Sequence, residues 1–134
     1  IKPDIHYDKI VSIATFEHIR DLPFAVARAG TLLADDGFLA CGIPTEGGFL
    51  WGASWRMTTG LVFRMRTGLS YKKIMDHEHL NNAAEIESII RYFFDDVTIC
   101  RFPFNSKHLS LFTFLSARKP KVNLCDEFLA NYGG

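Results

Sequence analysis

Charge of one sign is what this sequence most plainly lacks, because fifteen Lys and Arg balance fifteen Asp and Glu over 134 residues. With no net field to draw in a polyanion, no nucleic-acid partner is expected, and any charged ligand has to meet a local patch. Cysteine is sparse as well. Cys41, Cys100 and Cys125 are odd in number, widely spaced and without a CxxC pair, which argues against a disulfide framework and against a cysteine zinc site. That usage points to a reducing, cytoplasmic setting. No run reaches the roughly 18 apolar residues of a membrane span, and no signal-peptide pattern opens the chain. Repeats and low-complexity stretches are missing too. The first residue is Ile and a strand follows almost at once, so the chain reads as the continuation of a longer product.

What is present is a 48% hydrophobic composition, enough for one globular unit with a real core. Tyr7 to Ile13 reads as a strand whose dense apolar content suggests cover on both faces, as in a parallel sheet. Asp21 offers a helix N-cap with Pro23 in the first turn, and Leu22, Ala25, Val26, Ala29, Leu32 and Leu33 follow at helical spacing. Asp35, Asp36 and Gly37 suggest a turn, and Phe38 to Ile43 a second apolar strand ended by Pro44. Strand, helix and strand make a βαβ unit. Asn82 and Glu85 form a capping-box pattern ahead of a stripe of Ile86, Ile89, Ile90, Phe93 and Phe94. After a turn at Asp95 and Asp96, Val97 to Phe102 and Leu109 to Ala117 read as two strands joined by too few residues for a parallel crossover, so they are expected to pair antiparallel. Phe16, Ile90 and Phe93 are expected in the core. The tail after Lys119 offers at most one docked turn around Phe128, Leu129 and Tyr132.

Between Pro44 and Asp76 the text turns cationic and aromatic, with Trp51, Trp55, Arg56, Phe63, Arg64, Arg66, Lys72 and Lys73 and no acidic residue after Glu46 until Asp76. Flat aromatic surfaces stack on ligands, and Arg forks onto carboxylate or phosphate. The same composition suits an anionic membrane surface.

The order of these elements, and the words YDKIVS, FEHI, LLADDGFLACGIP and DHEHLNN at their junctions, resembles the C-terminal half of a class I S-adenosylmethionine-dependent methyltransferase of the small-molecule type 11 or 12 groups. The resemblance covers about residues 5 to 119. It implies an α/β fold, half of a Rossmann-like sheet of parallel strands plus a C-terminal antiparallel pair, with covering helices and a helical lid insertion at about 45–76. Residues 1–119 would be the C-terminal part of the methyltransferase domain, and 120–134 a tail. The family's Gly-rich loop is not found, since the glycines at 30, 37, 42, 47 and 48 do not form GxGxxG between a strand and a helix. The cofactor half is therefore expected to lie outside this chain, leaving the first strand as an apolar unpaired edge through which copies self-associate.

Methyl transfer is an in-line attack on a sulfonium methyl, so a site must orient the acceptor, exclude water and remove a proton where one is lost. Ligands of open α/β sheets bind beyond the carboxyl ends of the strands. The resemblance thus implies that Ser12, Ile13, Ala14 and Glu17 meet S-adenosylmethionine. His18 is the candidate catalytic base, its ordinary pKa near 6.5 lying close to working pH; its plain alternative is to position the next helix beside Glu17. Trp51, Trp55, Arg56, His77 and His79 are the candidate acceptor-binding residues, for a small molecule such as an anionic, lipid or glycan precursor. No metal is expected, because relatives that hold one carry a Glu where this chain has Ala14. The competing reading is a noncatalytic α/β module that binds a protein or an anionic membrane through the basic aromatic insertion.

Overall fold

Helix ends in this chain are set by side chains that satisfy the backbone groups an α-helix leaves unpaired. Asp21 accepts a hydrogen bond from the Phe24 amide at 3.3 Å, and Pro23 sits in the first turn, where no amide is needed. The helix that follows, α1, spans Leu22–Leu32. Asn82 accepts from the amides of Ala84 and Glu85 at 3.0 Å each, while Glu85 accepts from the Asn82 amide at 2.9 Å. This reciprocal box starts α2, Ala83–Phe93.

The computed structural model describes residues 5–44, 80–106 and 108–132. Four strands, β1 (Tyr7–Ile13), β2 (Leu33–Pro44), β3 (Phe94–Pro103) and β4 (Ser110–Pro120), form one sheet in the order β1-β2-β4-β3. β1 and β2 run parallel through α1, with Ile10 beside Leu39 and Ser12 beside Cys41. β4 is antiparallel to both β2 and β3, as the short connection requires. A last helix, α3, spans Val122–Tyr132.

Period-2 alternation divides the strand residues between two faces. Leu39, Cys41, Ile43, Leu115 and Ala117 join Leu22, Val26, Ile86, Ile90 and Phe93 of the helices in one buried cluster. Phe16 belongs to it too, as expected. The opposite face carries Val11, Ile13, Phe102, Phe112 and Phe114, all between 46% and 71% exposed. The reading of β1 as covered on both faces is thus corrected: a strand apolar on both sides looks doubly buried in sequence, yet the described helices cover one side.

Two turn readings are also corrected. Asp35 to Gly37 and Asp95 to Asp96 lie within β2 and β3, because each strand begins directly where the preceding helix ends. The Asp35–Gly37 stretch is taken up as an irregularity: Tyr7 faces Leu33, but two residues later Lys9 faces Phe38. Gly37 is required there, since a Cβ would lie 2.8 Å from the Tyr7 carbonyl oxygen. The tail, read as one docked turn at most, forms three turns of helix. Its Cys125 is fully buried, and Gly30 of α1 allows the approach, as a Cβ at that position would meet Cys125 Sγ at 2.9 Å.

Candidate functional site

The carboxyl ends of β1 and β2 lie together because the strands are parallel, and β4 starts at the same end because it runs the other way. At that end β1 stops abruptly. Ala14 takes a left-handed φ of 48°, and its amide donates to the Gly42 carbonyl at 2.8 Å. A non-glycine residue held there is strained unless its surroundings fix it. The Thr15 hydroxyl adds a bond to the Ile13 carbonyl at 2.9 Å. Phe16 to His18 then form a single 3₁₀ turn packed between β2 and α2.

That turn is clamped from the far side of the sequence. The Glu17 carbonyl accepts from the amides of Leu80 and Asn81 at 2.8 and 3.1 Å. The Asn81 side-chain amide donates to the carbonyls of Phe16 and Ile19 at 2.9 and 2.6 Å. Asn81 is a positioning residue that reading the sequence missed; its only signal was its place just before the Asn82 cap.

Alternation separates the four residues expected at the cofactor. Ser12 is buried under the helices, beside Cys41, whereas Ile13 is 71% exposed on the uncovered face and Ala14 is exposed at the strand end. Glu17 is only 3% exposed. His18, the candidate base, is exposed at the end of the 3₁₀ turn. Trp51, Trp55, Arg56, His77 and His79 lie outside the described residues, as does the rest of the basic aromatic stretch.

The buried group around Glu17 is polar where the core is otherwise apolar. Cys41, 3% exposed, has its thiol pKa pushed up to about 12, first by burial and next by the Glu17 carboxyl beside it; the Ser12 hydroxyl opposes this weakly. Among the described residues Ser12 Oγ, Glu17 Oε2 and Ser110 Oγ have no hydrogen-bond partner by geometry. Buried polar atoms are seldom left so. On the uncovered face, Val11, Ile13, Gly42, Cys100 and Phe114 line an open apolar depression of about 320 Å³.

No family model and no curated protein matches the chain. Solved structures do. One is a SAM-dependent methyltransferase from Thermotoga maritima, described as a possible histamine N-methyltransferase, which aligns at 14% identity and a TM-score of 0.58 over 87% of this chain. Another is an O-methyltransferase family protein from Burkholderia thailandensis, at 12% identity and a TM-score of 0.49 over 87% of this chain. The chain spans 59% of the first structure and 31% of the second. By its likeness to the first of these, the four-stranded mixed sheet with its helices has the class I methyltransferase fold over part of that fold's length.

Proposed function

We propose that this chain is the acceptor-side half of a methyltransferase that moves a methyl group from S-adenosylmethionine to a small molecule, with the nucleotide-binding half outside the chain. The observation that carries this reading is the sheet order β1-β2-β4-β3, in which β1 stands at the edge among the described residues, where a further parallel strand can continue the sheet. Fold likeness supports the assignment by analogy, since one fold hosts many activities. The mouth of the β1 end suits the cofactor: Ile13 offers an exposed apolar side chain there, and Ala14 a fixed backbone turn.

S-adenosylmethionine supplies an electrophilic methyl group on sulfur. The tasks left to the protein are to align the acceptor atom, keep water away and take a proton where the acceptor loses one. His18 is our candidate for the last of these; it is exposed and follows the carboxyl end of β1, the side on which ligands of open α/β sheets bind. In a polypeptide that joins this chain to its nucleotide-binding half, transfer of labelled methyl from S-adenosylmethionine to small-molecule acceptors tests the reading. His18→Ala is expected to lower turnover by about 10²- to 10⁴-fold, as loss of a general base does, and more than His77→Ala. Unchanged turnover in His18→Ala removes the base from His18, and absence of transfer to every acceptor removes the enzyme.

A further inference from the structure

A single 3₁₀ turn is a weak element, since its hydrogen bonds are few and poorly aligned. In the turn that carries His18, the amides of His18 and Ile19 reach the carbonyls of Thr15 and Phe16 at 3.0 and 3.4 Å. Firmer bonds hold it from outside. On the entry side, the left-handed Ala14 is tied to the Gly42 carbonyl of β2. On the other side stands Asn81, whose side-chain amide has two donor hydrogens and bonds both the Phe16 and the Ile19 carbonyl. The Glu17 carbonyl accepts from the amides of Leu80 and Asn81. The carbonyls of Phe16, Glu17 and Ile19, on either side of His18, are thus all bonded to residues 80 and 81. Asn81 is itself held by the capping box that follows it and by α2, whose Ile86 and Ile90 are fully buried.

We propose that Asn81 sets the place of His18 after the carboxyl end of β1 and, resting on the methyltransferase reading, that it is a positioning residue for methyl transfer. The amide is the side chain this task needs. Two carbonyl oxygens are joined by one group only if it carries two donors, and an ionised Asp of the same shape carries none. Asp there sets carboxylate oxygens against carbonyl oxygens, and Ala leaves both carbonyls without their donor. Displacing a reacting group by about 1 Å costs up to about 10²-fold in rate, so a turn released on one side is enough to slow proton removal. Ile13 and Ala14 are tied to Gly42 and not to Asn81, so the loss falls on kcat and spares KM for S-adenosylmethionine.

In this chain, the ring Cε1–H signal of His18 in NMR spectra is expected to move in Asn81→Asp and in Asn81→Ala, while those of His6 and His108 stay; thermal unfolding confirms that the variants fold. An unmoved His18 signal in a folded variant overturns the proposal. In the polypeptide joined to its nucleotide-binding half, Asn81→Ala is expected to lower kcat about 10- to 10²-fold, with KM for S-adenosylmethionine changed less than about threefold. Made on top of His18→Ala, the same substitution should change kcat less than about threefold, because a residue that acts through His18 has nothing left to position. An equal loss in both backgrounds, which a merely structural role gives, overturns the proposal, and so does unchanged kcat in folded Asn81→Ala. A moved His18 signal with no methyl transfer by the wild-type polypeptide upholds the placement of His18 by Asn81 and overturns the methyltransferase reading alone.

Discussion

At the scale of single residues, burial decides chemistry. Cys41 and Cys125 are buried, with thiol pKa values raised from 9.0 to about 12 and about 11, in both cases first by loss of solvent, then by Glu17 and Asp126 respectively. Cys100 is exposed on the uncovered face. A thiol reagent at pH 8 should therefore label one cysteine in the native chain and three after denaturation, since the thiolate is the reactive form. Native labelling of Cys41 at the rate of Cys100 would show the Cys41 side chain to be open to solvent. The linkage has a definite sign. A folded-state pKa above the unfolded value stabilises the fold below about pH 9, and that stabilisation is lost as pH rises towards 11 and 12. The site was only half legible at this scale. FEHI drew attention to Glu17 and His18, but the strand period alone places Ser12 and Ile13 on opposite faces, so they could not both line one ligand in the same way.

Among the elements, the starts of α1 and α2 were readable because Asp21 and Asn82 act locally, each satisfying amides within three residues. Strand starts were not readable, because Asp-rich stretches that favour turns in isolation are carried inside β2 and β3, whose neighbouring residues Leu33, Phe38, Phe94 and Val97 pair with other strands. Tertiary pairing outweighed local preference. The 3₁₀ turn was hidden for the same reason: its clamp, Asn81, lies more than 60 residues away in sequence. Asn81→Ala removes two partly buried bonds and leaves the carbonyls of Phe16 and Ile19 without their donor. A loss of about 1 to 3 kcal/mol in unfolding free energy is expected by denaturant titration, with faster amide exchange at Leu80, which bonds to Glu17. A change below the error of the titration would show that the turn is held by packing of Phe16 instead.

For the molecule as a whole, the governing feature is a sheet covered by helices on one face and apolar on the other. Five large side chains, Val11, Ile13, Phe102, Phe112 and Phe114, are exposed there, more than scattered surface hydrophobes account for. The β1 edge beside them is a further template for pairing. In solution this chain alone is expected to self-associate with rising concentration, and Val11→Lys with Ile13→Lys should shift sedimentation towards the monomer. Both features follow if the rest of the sheet and its helices are supplied from outside the chain. Calorimetric titration of S-adenosylhomocysteine tests that most directly, made into this chain and into a longer polypeptide carrying the nucleotide-binding half. The account predicts no measurable heat of binding with the chain alone and one site per molecule with the longer polypeptide; no binding to either contradicts it.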